Sequence, residues 1–112
     1  MFLILTALVD QPRHGYGIVQ EVARLSHGQT QLKVGTLYGA LDRLTGEGLV
    51  APDRDEIEAG RLRRYYRITE QGAAALAEDA ERIASHAAVA TRRLRERGVP
   101  LPGKLGPAGG AA

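Results

Sequence analysis

The sequence contains no cysteine and no tryptophan, and it has no long apolar run. Without cysteine, neither a disulfide framework nor a thiolate zinc site can form. The apolar residues 1–9 are far fewer than the roughly 20 that span a bilayer, and they lack the basic region and cleavage site of a signal peptide. These absences predict a protein of the cytoplasm that does not associate with a membrane.

The residue patterns of catalytic and metal sites are also missing from the sequence. The histidines His14, His27 and His86 have no ligand-like spacing to one another or to a carboxylate. There is no Ser–His–Asp or Cys–His arrangement, and Gly46–Gly48 is better interpreted as a helix stop than as a phosphate loop. The sequence therefore predicts a protein that is not an enzyme and binds no metal or cofactor.

The charges are nearly balanced over the 112 residues but unevenly placed, with a formal net charge of +2. Residues 53–58 hold four acids and one arginine, whereas residues 61–67 hold four arginines and no acid. A local basic cluster matters more to a phosphate backbone than the net charge does. The cluster predicts contact with nucleic acid, and it leaves open a solvated strand whose arginines pair with Asp55, Glu56 or Glu58.

The spacing of apolar residues predicts three helices in the first half of the chain. Residues 1–10 form an almost wholly apolar first helix, and residues 16–26 form a second helix with one apolar face. A third helix is expected from Val34 to Gly48, with Leu37, Leu41 and Leu44 in one buried stripe. Its opposite side is small, polar and partly basic, so it can lie close to another surface.

Two strands follow the third helix. Residues 49–51 form a short strand, and residues 62–68 form its partner, with Tyr66 and Ile68 facing inward. The connection over residues 53–60 is longer than a tight hairpin turn. This arrangement predicts a wing.

A long fourth helix is expected after Thr69, which is a plausible N-cap, and it runs to Arg97 before Gly98 and Pro100. Its apolar positions alternate in spacing between three and four residues, which is typical of a heptad seam. Four of these seven positions are alanine, so a second helix could approach closely. The seam consists of Ala73, Leu76, Ala80, Ile83, Ala87, Ala90 and Leu94.

The elements together predict a mainly α fold with a small β-hairpin: a winged helix-turn-helix plus a long C-terminal dimerisation helix. The expected domains are residues 1–69 for DNA binding, 70–98 for dimerisation, and a flexible tail over 99–112. Self-association would use the seam, although the seam could also fold back onto its own domain. The residues predicted to carry dimerisation are Leu76, Ala80, Ile83, Ala87, Ala90 and Leu94.

DNA contacts are expected from the third helix and the wing. On the helix the candidates are Thr36, Tyr38 and Arg43, for which a core-edge or plain surface role is the alternative. On the wing the candidate residues are Arg61, Arg63 and Arg64. Adjacent strand residues point to opposite faces, so Arg63 and Arg64 are not expected to contact DNA equally.

Four stretches resemble the PadR family of bacterial transcriptional regulators, in the family's order and spacing. They are residues 14–16, 35–38, 41–50 and 60–69, and the resemblance covers about residues 1–98. The single C-terminal helix is similar to the smaller subfamily. The resemblance implies a homodimer that places one third helix in each of two successive major grooves of an inverted-repeat operator, with the wings on phosphates or the minor groove. It also implies a repressor that is often released by a small aromatic or drug-like ligand.

Two further expectations depend on this resemblance. Lys33 stands where the family often has a serine-like residue, which predicts a weaker helix cap and a phosphate contact. An effector space is implied between the first and C-terminal helices, lined by Phe2, Leu5, Ile83 and Ala87. The chain lacks the tryptophans that some multidrug-binding relatives place in such a cavity.

A second interpretation is a winged-helix module that binds protein rather than DNA. It is motivated by the near-neutral overall charge and by the acidic residues expected at the end of the wing.

Overall fold

A computed structural model describes residues 1–102 as four helices and three strands. The three strands form one antiparallel sheet in the order β1-β3-β2. The chain groups into two compact units, which divide between Asp79 and Ala80. The elements are α1 (Phe2–Ala7), β1 (Arg13–His14), α2 (Gly15–Leu25), α3 (Val34–Gly46), β2 (Val50–Glu58), β3 (Arg61–Ile68) and α4 (Glu70–Arg97).

The core of the first unit is built from aliphatic side chains of α1, α2 and α3. The stripe predicted on α3, Leu37, Leu41 and Leu44, is fully buried, which confirms the expected inner face. Ile18 and Val22 of α2 are buried against the same core. Burying a side chain of this size stabilises a fold by about 1.5–3 kcal/mol, so this stripe fixes which face of α3 remains outside.

The first helix is shorter than the sequence predicts, because it ends at Ala7 rather than near residue 10. Arg13 Nε donates a hydrogen bond of 2.7 Å to the carbonyl oxygen of Ala7, and its Nη2 lies 3.3 Å from Asp10. The guanidinium of Arg13 therefore satisfies a backbone carbonyl that a further helical turn would have used. The apolar run alone does not show this contact.

The predicted loop over residues 53–60 is wrong, because the structure continues both strands almost to the end of the hairpin. β2 and β3 pair from Val50↔Ile68 to Glu58↔Arg61, with an irregularity between Pro52 and Arg54. Ala59 and Gly60 alone form the turn, with φ angles of 52° and 78°. Two positive φ values match the twist of a two-residue hairpin turn.

Strand β1 was not predicted, and it joins the start of α2 to the sheet. His14 pairs with Tyr65 of β3, and its Nδ1 accepts a hydrogen bond of 3.1 Å from the N–H of Gly17. His14 is therefore both a sheet residue and the N-cap of α2.

The start of α4 is anchored in the first unit. Thr69 Oγ1 accepts a hydrogen bond of 2.9 Å from the N–H of Gly72 and donates one of 2.7 Å to the carbonyl of Gly48. This confirms Thr69 as the N-cap. Gly72 is buried, and a Cβ there would lie 2.0 Å from the carbonyl oxygen of Leu49. Only glycine fits this approach without displacing backbone.

The end of α4 also agrees with the prediction. Gly98 has a φ of 85°, and the N–H of Val99 bonds to the carbonyl of Leu94 at 2.9 Å, which is a Schellman ending. Residues 99–102 form no regular element. The remainder of the predicted tail, residues 103–112, lies outside the described residues.

Candidate nucleic-acid interface

The outer face of α3 carries little side-chain bulk. Gly35, Thr36 and Gly39 are exposed, and a Cβ at either glycine would meet nothing within 4 Å. Asp42 and Arg43 continue this face and are also exposed. The major groove of B-DNA is about 12 Å wide and admits one α-helix, so a helix with a small outer face can lie deep within it.

The N-terminus of α3 is open. Lys33 is its N-cap residue, with φ −83° and ψ 148°, and no side chain caps the helix. The carbonyl of Lys33 accepts the first helical bond, from the N–H of Leu37 at 2.9 Å. The weaker cap expected at Lys33 is therefore what the structure shows. Uncapped N–H groups at a helix N-terminus favour an anion such as phosphate, and Lys33 itself is exposed beside them.

Tyr38 combines a packing role with an exposed surface. A Cβ at Gly15 would lie 2.5 Å from its hydroxyl oxygen, so the ring end of Tyr38 rests on the start of α2. The residue is nevertheless 42% exposed. Tyr66 of β3 is near enough to interact with Tyr38: burial raises the pKa of Tyr66, and the electrostatic effect of Tyr38 raises it slightly further. Tyr38 therefore fixes α3 against α2 while its outer edge remains available for a contact.

The wing, residues 50–68, is less basic than its arginines suggest. It carries five arginines and four acids. Arg64 Nε lies 3.3 Å from Asp55, and Arg63 Nε lies 3.9 Å from Glu58. Both arginines therefore follow the alternative that the sequence left open, in which arginines of the wing pair with acids of the neighbouring strand. Arg61 is exposed and has no ion pair within residues 1–102, so it is the wing cation most accessible to a phosphate.

Glu58 joins the wing to the start of α2, and sequence reasoning missed this role. Tyr65 donates a hydrogen bond of 2.7 Å to Glu58 Oε2, and His14 Nε2 lies 3.8 Å from Glu58 Oε1. The hydrogen bond to Glu58 raises the pKa of Tyr65 above its usual value. The guanidinium of Arg54 lies 4.1 Å from the centre of the Tyr65 ring. No local pattern indicates these contacts, because they depend on the strand register.

Most of the predicted dimerisation residues are exposed on α4. Ile83 is 51% and Leu94 is 39% exposed, and the seam alanines Ala80, Ala87 and Ala90 are exposed as well. Leu76 differs, since it is half-buried against the core of the first unit. The seam beyond Asp79 is therefore an uncovered surface of small and aliphatic side chains.

The predicted effector-lining residues are not equivalent. Phe2 is half-buried, whereas Leu5 has no exposed surface because it is enclosed in the core of the first unit. This burial contradicts the assignment of Leu5 to an open ligand space. Ala87 lines a depression of about 500 Å³ along α4, together with Thr91 and Arg92.

Residues 1–102 contain neither a membrane-spanning helix nor a cluster of metal-ligating side chains. None of the helices is long and apolar enough to cross a membrane. No group of three or more His, Cys, Asp or Glu side chains in this part of the chain could hold a metal ion.

The order α2, α3 and wing defines a winged helix-turn-helix protein. Comparison with known protein families then identifies which family of winged helix-turn-helix proteins the chain belongs to. The model of the transcriptional regulator PadR-like family matches residues 4–78, and the chain belongs to this family. PadR-like proteins are transcriptional regulators and not enzymes.

Individual relatives agree with this assignment. The transcriptional regulator Rv3488 of Mycobacterium tuberculosis is 42% identical over 76 residues, which are 68% of this chain and 67% of that protein. A transcriptional regulator from Clostridium thermocellum superposes with a TM-score of 0.70 at 26% identity, over 81% of this chain and 88% of that one. Bacillus subtilis PadR, solved in complex with operator DNA, superposes with a TM-score of 0.60 at 24% identity, over 69% and 44%.

Proposed function

We propose that this protein is a homodimeric transcriptional regulator that binds duplex DNA sequence-specifically and acts as a ligand-responsive repressor. The observation that carries the proposal is the exposed, low-bulk face of α3 with its uncapped N-terminus at Lys33. The complex of Bacillus subtilis PadR with operator DNA supports the same use of the fold. Binding to chromosomal DNA would place the protein in the cytoplasm of a bacterial cell.

In this proposal α3 sets register and sequence. Lys33 and the open N–H groups would hold a phosphate, while Thr36 and Arg43, which are both exposed, would contact base edges. Tyr38 supports the orientation of α3 through its packing on Gly15.

The wing supplies sequence-independent affinity. Arg61 can bind a phosphate without first breaking an ion pair. Arg64 must exchange its ion pair with Asp55 for a phosphate, and Arg63 must give up its ion pair with Glu58. Exposed ion pairs contribute only about 0–1 kcal/mol, so the exchange is inexpensive for Arg64. Arg63 is more enclosed, with 27% of its side chain exposed, and therefore contributes least.

The dimer would form through the exposed seam of α4, chiefly Ala80, Ile83, Ala87, Ala90 and Leu94. Alanine at three of these five positions allows two helices to approach closely. A two-fold dimer presents two copies of α3, and successive major grooves are about 10 base pairs apart. The expected operator is an inverted repeat of that spacing.

A small aromatic effector is the proposed signal, with Phe2, Ile83 and Ala87 as the remaining candidate contacts. A thermal-shift screen of phenolic and polyaromatic compounds tests it, with release of bound DNA as the second readout. A compound that raises the melting temperature and releases DNA supports the proposal. If no compound does either, this part of the proposal is wrong.

Salt titration of DNA binding tests the division between helix and wing. Each phosphate contacted on B-DNA adds about −0.9 to the log–log salt slope. Arg61→Ala should weaken binding to all duplexes alike and flatten the slope by about that amount, whereas Arg43→Ala should weaken one sequence selectively. If Arg61→Ala left the slope unchanged, the wing would have no phosphate role at this position.

The near-neutral wing favours one other function, a protein-binding module. Arg63 and Arg64 of the wing are paired with acids in the structure, which leaves fewer free cations for DNA. Salt-insensitive capture of a protein partner, with no DNA binding at low salt, would favour this alternative.

A further inference from the structure

The outer wing, residues 55–64, extends beyond the third strand of the sheet. β1 pairs with β3 at Tyr65 and Tyr66. From Asp55↔Arg64 to the turn, the hairpin continues as the two strands β2 and β3. A two-stranded hairpin is only marginally stable by itself in water. The orientation of the outer wing relative to the helices therefore depends on side-chain contacts that lead back to the base of the hairpin.

Glu58 makes such a contact from the end of the hairpin. It pairs across the strands with Arg61, which is four residues from Tyr65 along β3, or roughly 13 Å at about 3.3 Å per residue. Alternate residues of a strand share a face, so Arg61, Glu58 and Tyr65 lie on the same side of the hairpin. The hydroxyl of Tyr65 donates a hydrogen bond of 2.7 Å to Oε2 of Glu58, so the two side chains close this gap. A hydrogen bond to an ionised acceptor is about twice as strong as one between neutral groups.

His14 extends the contact of Glu58 to α2. Its Nδ1 accepts the hydrogen bond from the N–H of Gly17, so the ring hydrogen of the neutral imidazole is on Nε2. Nε2 lies 3.8 Å from Oε1 of Glu58, and the imidazole meets the ring of Tyr65 edge-on, with 5.2 Å between ring centres. One carboxylate at the end of the wing is therefore held by the N-cap residue of α2 and by the tyrosine packed on it.

Arg63 adds a cation to this cluster. Its Nε lies 3.9 Å from Oε1 of Glu58, is buried, and has no hydrogen-bond partner within residues 1–102. The carboxylate of Glu58 thus has two opposite effects on the wing. It holds the outer wing in one orientation, and it offsets a positive charge that a phosphate could otherwise attract.

A fixed orientation of the wing favours sequence-specific binding over non-specific binding. In the specific complex, α3 must lie in one register on the base edges while the wing meets particular phosphates. Non-specific binding is electrostatic and accepts many arrangements of protein on DNA. A wing that already has its bound orientation loses less conformational freedom when the specific complex forms, and this saving is absent from the non-specific complex.

We propose that Glu58 is a positioning residue for DNA recognition, which holds the outer wing on Tyr65 and His14 and thereby raises the preference for the operator over other duplexes. The inference rests on the proposed DNA-binding function and adds a determinant of specificity that itself contacts no DNA. The acceptor oxygen of Glu58 carries this role, and its negative charge does not.

The test separates the acceptor from the charge with three variants of the full-length protein. Glu58→Ala removes both, Glu58→Gln keeps an oxygen that can accept from Tyr65, and Tyr65→Phe removes the donor without changing the charge. Asp55→Ala is the matched control, because it removes another acid of the outer wing that pairs with Arg64 of β3 and not with α2. Circular dichroism melting verifies that every variant folds.

Fluorescence anisotropy measures the dissociation constants for the inverted-repeat duplex selected from a random pool and for a shuffled duplex of equal length. The ratio of the two constants should fall roughly 3- to 10-fold in Glu58→Ala and in Tyr65→Phe, because the wing must then be ordered on binding. Glu58→Ala should also bind the shuffled duplex more tightly, with a salt slope steeper by up to about 0.9, since Arg63 is released. Glu58→Gln and Asp55→Ala should bind both duplexes more tightly and keep the wild-type ratio.

An unchanged ratio in both Glu58→Ala and Tyr65→Phe would overturn the proposal. An equal loss of the ratio in Glu58→Gln and Glu58→Ala would also overturn it, since the charge would then be responsible.

Hydrogen exchange of the free protein tests the positioning without DNA. The amides of residues 55–58 and 61–64 should exchange faster in Glu58→Ala and Tyr65→Phe than in wild type, and at the wild-type rate in Glu58→Gln. Equal exchange in all of these proteins would overturn the positioning role even if DNA binding were intact. If wild type did not distinguish the two duplexes, the proposed function would fail and the role of Glu58 in specificity with it, whatever the exchange rates.

Discussion

Gly72 is the position at which one added methyl group should be most damaging. A Cβ there would lie 2.0 Å from the carbonyl oxygen of Leu49 and 2.9 Å from Cγ1 of Ile68. The nearer atom belongs to the backbone, so it cannot rotate away as a flexible side chain would. Gly72→Ala therefore forces the start of α4 away from the α3–β2 junction by a distance on the order of 1 Å.

The expected loss in the free energy of unfolding is the net result of three effects. Overpacking costs about 1–3 kcal/mol, and the displacement weakens the hydrogen bond from Thr69 N–H to the carbonyl of Leu49, which is 3.1 Å long and contributes about 1 kcal/mol. Replacing glycine by alanine in a helix returns about 0.5–1 kcal/mol. The free energy of unfolding should fall by about 2 kcal/mol, which lowers the melting temperature by roughly 8–16 °C.

Gly39→Ala is the matched control, because a Cβ at that exposed position of α3 meets nothing within 4 Å. It should raise the free energy of unfolding by about 0.5–1 kcal/mol. Thermal melts of both variants and wild type at one protein concentration give the comparison. If Gly72→Ala melted at or above wild type, the close seating of α4 on Leu49 would be refuted.

Three further substitutions have defined outcomes. Thr69→Val removes the N-cap of α4 and should cost about 1 kcal/mol of stability in chemical denaturation, and no loss would contradict the cap. Tyr65 should ionise above the usual tyrosine pKa, so the stabilisation from its hydrogen bond is present below about pH 10 and is lost as the pH rises through the raised pKa. Glu58→Ala removes the acceptor and should lower that pKa in a tyrosinate absorbance titration, and an unchanged titration would exclude Glu58 as its cause. Asp55→Asn should release Arg64, tighten DNA binding and steepen its salt dependence in fluorescence anisotropy, whereas weaker binding would assign Asp55 a contact of its own.

Much of the helical structure could be predicted because it depends on the spacing of apolar residues and on capping residues close in sequence. The leucines of α3 repeat with the helical period, and Thr69 and Gly98 are capping residues whose preferences are local. The end of α1 could not be predicted in this way. It depends on Arg13 reaching the carbonyl of Ala7, a contact made only after the chain has turned.

The structure of the wing could not be predicted from local sequence for the same reason. Residues 53–58 are acidic and polar, and such a composition predicts a loop. They form a strand because three of the four acids, Asp55, Glu56 and Glu58, are each paired with an arginine of β3. The outer face of α3 was predicted from its small residues, whereas the contacts of Glu58 with Tyr65 and His14 follow from the strand register and were not.

The most direct test of the central claim is binding-site selection from a random duplex pool with the purified protein, followed by salt titration on the enriched sequence. The account predicts an inverted repeat whose half-site centres are about 10 base pairs apart, with steep salt dependence. Failure to enrich any sequence, with only weak salt-sensitive binding to all duplexes, would contradict sequence-specific recognition by α3.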